Sequence, residues 1–241
     1  MIHGVQHMKN ILVLQHEAHE GIGAWEPLFK AQGRRVVTRK LFEGEKVPLQ
    51  EELCEWNGIV IMGGSMSAND GDKLDFIRDE ISMVPQAIEL KIPLLGVCLG
   101  SQIIAKALKS KITKLPKKEI GWYPMHLGLS SSKDNLLGGL SGPLMMFQWH
   151  GETFELPSGS VHLAKSELCP NQAFKYTDRV YGLQFHCELT DSMIRDWIER
   201  GREEILQAGL SPELILEKTP KFLPTLRHWA TQIANKWVAL R

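Results

Sequence analysis

Cys98 stands in the string LLGVCLGSQ, residues 94–102, with Gly96 and Gly100 two positions to either side. A short apolar run ends at the cysteine and helix-forming residues follow it. That spacing predicts a sharp strand-to-helix turn presenting the side chain at its tip, a nucleophile elbow. Glycines there avoid Cβ clashes around a strained backbone. A thiol at a helix N-terminus feels the positive end of the macrodipole, which favours the reactive thiolate. The N–H of the next residue, Leu99, points where an oxyanion would form. A structural cysteine buried at a tight turn gives the same string, so this segment alone leaves catalysis open.

A second string, GLQFHCEL at 182–189, sets His186 and Glu188 two positions apart near the end of an extended run. Alternation along a strand puts both on one face and Cys187 on the other. An imidazole beside a thiol serves as base and acid, and a carboxylate holds its tautomer and orientation. A surface histidine with a solvated glutamate, or a metal-binding His-x-Glu pair, would read the same. Cys187 is expected to face outward and to be incidental. A third string, Gly63-Gly64-Ser65, ends another apolar run. A second oxyanion-binding N–H, from Gly64, or an ordinary turn fits it equally.

These residues need elements to carry them. Asn10–His16, Arg35–Leu41, Gly58–Gly64 and Pro93–Cys98 read as strands apolar on both faces. Helical stretches separate them: Ala24–Gln32, ending near Gly33; Asp72–Leu90, which Pro85 should kink or split; and Ser101 to Leu108. Such alternation predicts a parallel sheet in an α/β fold, with ligands gathering beyond the carboxyl ends of its strands. After Lys109 the pattern shifts to short strands at Lys111–Leu115, Ile120–Leu127, Met145–His150, Val161–Lys165, Gln172–Tyr176 and Val180–His186, with Leu127–Pro143 as surface loop. Helices return after residue 190. One stripe is Met193, Ile194, Trp197, Ile198 and Ile205, stopping at Gly209; Ser211-Pro212 opens another, carrying Leu226, Trp229, Ile233 and Trp237. Core packing explains both stripes, and a partner-binding face is the alternative.

Composition narrows the function classes. In 241 residues, 28 basic side chains balance 28 acidic ones, so no overall field draws nucleic acid or an anionic membrane. No apolar run approaches the roughly 18–20 residues needed to span a bilayer. The start, MIHGVQHMKN, lacks the apolar centre of a secretory signal. A cytoplasmic protein is therefore expected. Four scattered cysteines without a CxxC pair suggest neither a disulfide framework nor a zinc site.

Taken together, GVCLGSQ, the upstream MGG, FQWHGETF and LQFHCE resemble the class I glutamine amidotransferases, in that family's order, over roughly residues 10–190. The stand-alone, GMP-synthase-like members are the nearest likeness, with EIGWYP (119–124) and NQAF (171–174) also similar. The resemblance implies a three-layer, flavodoxin-like α/β sandwich with a mostly parallel central sheet over residues 1–190. Residues 191–241 would form a helical extension packed on the same core. It also implies hydrolysis of the glutamine side-chain amide through a γ-glutamyl thioester on Cys98, with His186 as acid and base and Glu188 orienting it. Gly64 and Leu99 would supply the oxyanion N–H groups, Gln102 would help hold the substrate's amino-acid end, and His150 could contact substrate or merely brace a loop. No cofactor or metal is required.

Two departures stand out. The family's GGP reads Gly63-Gly64-Ser65 here, and His-Pro-Glu reads His186-Cys187-Glu188. Neither removes a catalytic group, but each removes a rigid proline. No P-loop or ATP-pyrophosphatase motif is present, so any ammonia acceptor is expected on a separate synthase subunit. The alternatives are a free-standing γ-glutamyl peptidase or hydrolase, and a non-catalytic binding or regulatory subunit docking through Trp197, Trp229 and Trp237.

Overall fold

The computed structural model describes residues 9–140 and 144–240. Residues 1–8, read above for the lack of a leader, and 141–143 of the expected loop lie outside the described residues.

Among the described residues, nine strands form one sheet. They are β1 (Lys9–Gln15), β2 (Arg34–Lys40), β3 (Gly58–Ile61), β4 (Leu94–Val97), β5 (Ile112–Leu127), β6 (Leu144–Phe154), β7 (Val161–Lys165), β8 (Ala173–Thr177) and β9 (Val180–Leu183). Their spatial order is β2-β1-β3-β4-β9-β8-β7-β5-β6. The run from β2 to β9 is parallel; β8, β7, β5 and β6 continue it antiparallel. Side chains alternate across the parallel strands. Ile11, Val13, Val60 and Leu95 face one layer, with Trp25 and Phe29 of α1 (Trp25–Ala31) and Ile233 and Trp237 of a long final helix. Leu12, Leu14, Ile59, Ile61 and Leu94 face the other, formed by α2 (Asp75–Glu89) and α3 (Leu99–Ala107). Each such side chain, fully buried, contributes roughly 1.5–3 kcal/mol. The expected three layers are present.

Several local expectations change. α2 starts at Asp75, after a 3₁₀ turn at Asp70–Asp72, and runs unbroken through Pro85. The two strands expected between Lys111 and Leu127 are one, β5, whose pairing with β6 slips between Lys114 and Glu119. The segment after Leu127 is not simply surface: Leu136, Leu137 and Leu140 are buried, with Asp134 Oδ1 accepting the N–H groups of Leu136 and Leu137. The helical stripe after residue 190 divides at Gly201 into α4 (Asp191–Arg200) and α5 (Arg202–Gln207); residue 201 must be glycine because the Trp149 ring packs where a side chain would be. The last helix, α6 (Pro212–Ala239), begins as expected, with the Ser211 hydroxyl accepting from Leu214 N–H at 3.3 Å. Trp197, Trp229 and Trp237 are buried in the core, so they offer no docking face.

Candidate active site

Four neighbouring parallel strands end at one edge of the sheet: β1 before His16, β3 before Gly63, β4 at Cys98 and β9 before Gln184. Their carboxyl ends flank the place where strand order reverses, the usual ligand crevice of such sheets.

Cys98 adopts φ 49° and ψ −108° between β4 and α3. A positive φ on a side chain with a Cβ costs about 1–3 kcal/mol and persists only where the surroundings impose it. Here the Cys98 N–H donates to Leu183 O at 2.8 Å and the Ser101 hydroxyl to Cys98 O at 2.6 Å. Gly96 and Gly100 are required by close approach. A Cβ on Gly96 would strike the Gly100 carbonyl, and one on Gly100 the Ile61 carbonyl of β3.

His186 lies just past β9, its N–H donating to Phe147 O of β6 at 2.8 Å. Its Nδ1 is 2.7 Å from Glu188 Oε1, and both side chains are buried. Burial opposes charge on the imidazole. The Glu188 carboxylate and the Cys98 side chain outweigh it, and the His186 pKa is raised well above 6.5. Cys187, expected to face outward, is 1% exposed and part of the core, because the whole segment after β9, residues 184–189, is buried; burial pushes its thiol well up.

Gly64 sits against Leu99: a Cβ on Gly64 would lie 3.0 Å from Leu99 Cδ2. Leu99 opens α3, where N–H groups lack intrahelical partners. Among the described backbone hydrogen bonds, neither the Gly64 nor the Leu99 N–H donates. Cys98, His186, Gly64, Leu99, Gln102 and His150 all line one cavity of about 830 Å³, with Glu188 behind His186. Gln102 is turned to protein partners, donating to Glu152 O at 3.1 Å and Gln184 Oε1 at 3.2 Å. Gln184 Nε2 in turn lies 3.6 Å from Cys98 Sγ. His150 likewise has Nδ1 at 2.9 Å from Glu152 O and Nε2 at 3.0 Å from Glu119.

Glu119, His150 and Cys169 bring potential metal-ligand atoms within 4.8 Å of one another. Their polar atoms are already engaged. Glu119 accepts from Ser166 and Gln172 at 2.6 and 2.7 Å, and Cys169 Sγ lies 3.2 Å from the Thr153 hydroxyl. The cluster therefore reads as a hydrogen-bonded brace beneath the cavity.

The sequence reading missed the segment after β1, His16-Glu17-Ala18-His19-Glu20. A Cβ placed on Gly63 would meet Glu20 Oε2, His186 Cε1 (3.1 Å) and Cys98 Cβ (3.6 Å) together, so a second carboxyl group joins Cys98 and His186. Burial, opposed by His186, raises the Glu20 pKa to about 7. Four ionisable residues in five, at the carboxyl end of a buried strand, are the signal that could have found them.

Comparison with known proteins places this arrangement. The family model for glutamine amidotransferase class-I matches residues 29–199. The glutamine amidotransferase-like protein YfeJ of Salmonella typhimurium is 30% identical over 80% of this chain and 81% of its own length. A glutamine-hydrolysing GMP synthase subunit from Sulfolobus acidocaldarius is 35% identical over 58% of this chain and 71% of its own. A glutamine amidotransferase from Thermotoga maritima superposes with a TM-score of 0.86 at 30% identity, covering 96% of this chain and 98% of that one. Sequence, fold and comparison agree: the chain belongs to the class I glutamine amidotransferase family.

Proposed function

We propose that this protein hydrolyses the side-chain amide of glutamine. The observation that carries the reading is the meeting of Cys98, on its strained elbow, with the His186–Glu188 pair at the rim of one cavity. Cys98 Sγ attacks the amide carbon, and the oxygen takes up negative charge against the Gly64 and Leu99 N–H groups. His186 gives its proton to the nitrogen, the carbon–nitrogen bond breaks, and ammonia leaves a γ-glutamyl thioester. His186 then takes a proton from water, whose oxygen adds to the thioester carbon. The carbon–sulfur bond breaks, the sulfur recovers a proton through His186, and glutamate departs. Glu188 keeps the imidazole oriented throughout. The likeness to a separate GMP synthase subunit supports delivery of the ammonia to a synthase partner.

A second reading, a γ-glutamyl peptidase or hydrolase acting alone, is favoured by the size of the cavity. About 830 Å³ lies high in the roughly 300–1,000 Å³ range of sites for drug-sized ligands, and glutamine would leave most of it empty. Glutamate release from glutamine and from γ-glutamyl dipeptides, against a Cys98→Ala control, separates the two. Turnover confined to dipeptides would overturn the first reading. No Cys98-dependent release from either, with or without a candidate synthase, would overturn both.

A further inference from the structure

The triad leaves unused a second buried histidine–glutamate pair at the same edge of the sheet. His16 follows β1, and Glu80 lies in α2; both side chains are 0% exposed. His16 Nδ1 is 2.9 Å from the Gly63 carbonyl oxygen, and its Nε2 is 2.9 and 3.1 Å from the two Glu80 oxygens. Burial lowers the proton affinity of this imidazole, but Glu80, the Gly63 carbonyl and Glu20 more than offset it, so its pKa is raised. A carbonyl oxygen can only accept, so Nδ1 carries a proton and donates it to Gly63 O, while Nε2 faces the Glu80 carboxyl.

The Gly63 carbonyl and the Gly64 N–H belong to one peptide unit. That unit is planar and trans, so the two bonds point to opposite sides and cannot turn independently. Whatever fixes the carbonyl also fixes the N–H. Two glycines in succession offer no side chain to restrain the dihedrals on either side, and the proline that follows them elsewhere in the family is Ser65 here. Local sequence cannot hold this peptide; tertiary contacts must.

We propose that His16, backed by Glu80, is the positioning residue of the oxyanion hole: it grips the Gly63 carbonyl and thereby aims the Gly64 N–H into the cavity. The inference rests on the reading of Gly64 as an oxyanion donor. A donor on the carbonyl also polarises the peptide and strengthens its N–H, since hydrogen bonds in a chain reinforce one another. The Ser65 hydroxyl, donating to Glu17 Oε1 at 2.5 Å, ties the next residue to the same segment. The stretch after β1 supplies the rigidity that the missing proline does not.

Two double variants test this. His16→Phe with Glu80→Leu keeps the volume, leaves no lone buried carboxylate and removes the tether. His16→Asn with Glu80→Gln keeps an amide donor where Nδ1 stood. The first should lower kcat for glutamine at least tenfold, toward the 10²–10³-fold loss that follows removal of one oxyanion donor, with KM nearly unchanged. Alkylation of Cys98 by iodoacetamide, a displacement at carbon that builds no oxyanion, should stay within about threefold of wild type. The second should restore most of the turnover. In glycine-labelled protein the Gly64 amide resonance should move in the first variant and return toward wild type in the second. Equal losses of turnover and alkylation, no rescue, or a stationary Gly64 resonance would overturn the proposal. Wild-type protein inert toward glutamine and γ-glutamyl amides would overturn the functional reading instead, and the Gly64 resonance would still decide the tether.

Discussion

The Trp197 indole stands perpendicular to the His186 imidazole, ring planes at 90° and centroids 4.8 Å apart. Trp197 belongs to α4, and its Nε1 donates to His19 O at 3.0 Å, so the ring is pinned at its far edge. It forms one wall against the imidazole while Glu188 holds Nδ1. Trp197→Ala should cost about 3–5 kcal/mol, the usual loss for a buried large aromatic. It should also lower kcat by about tenfold as the imidazole gains freedom. Trp197→Phe should recover most of both. Urea unfolding alongside steady-state kinetics checks this, and an Ala variant of unchanged activity would show that packing does not orient His186.

Glu188→Gln keeps the shape of the side chain and removes its charge. Turnover should fall by about 10²–10⁴-fold, the range for losing an effective acid–base group or the orientation of one. Stability should change with a definite sign. The raised folded-state pKa of His186 gives stabilisation that is full below its unfolded value near 6.5 and lost as pH rises through the folded value. The variant should therefore be most destabilised relative to wild type near pH 6, with the gap closing at alkaline pH. Denaturant unfolding at both ends of that window measures it.

Glu20 gives a different signature. Its carboxyl titrates at about 7 against an ordinary 4.5, because burial disfavours its charge. Between those values the folded state keeps a proton that the unfolded state releases, so this group weakens the fold as pH rises from 5 to 8. Glu20→Gln should gain on wild type across that interval by on the order of 1 kcal/mol, since one pKa unit is worth about 1.4 and the site is partly wet. The wild-type pH–rate profile should carry an ionisation near 7 that the variant lacks. A profile shared by both proteins would show that Glu20 does not sense the reaction.

What the sequence made legible was local. Glycines two residues to either side of Cys98 announce an elbow, and His186 and Glu188, two apart in sequence, do meet, although β9 ends at Leu183 and both lie beyond it rather than on an alternating strand. The tether was hidden because Glu80 is 64 residues from His16. Its one mark is a carboxylate on the buried side of α2, three after Ile77 and four before Val84. Cys187 was misplaced for a related reason. The strand expected through His186 ends at Leu183, and the segment beyond it is buried throughout, so Cys187 is core rather than solvent-facing. Gly201 falls within the helical stripe between Ile198 and Ile205, and only the position of Trp149 shows why a glycine stands there.

The elbow itself yields the sharpest contrast. A Cβ on Gly100 would collide with the Ile61 carbonyl, whose carbon would also be too close at 2.6 Å, and both are backbone atoms of β3 that cannot rotate away. The Gly100 N–H already donates to Met62 O at 3.1 Å, so the first turn of α3 is docked on the strand it would have to leave. Gly100→Ala should therefore cost more than the roughly 1–3 kcal/mol typical of overpacking. It should also abolish turnover in whatever fraction folds, because the Leu99 N–H moves with the helix. Gly33→Ala is the control. Its φ of +69° is left-handed, but no atom lies within 4 Å of the added methyl. It should lose only about 1–2 kcal/mol for that backbone conformation and keep full activity. Thermal unfolding and glutamate release on the two variants decide the matter. A Gly100→Ala protein as stable and active as Gly33→Ala would mean that the elbow can relax, and that the Cys98 backbone is not held by the contact between α3 and β3.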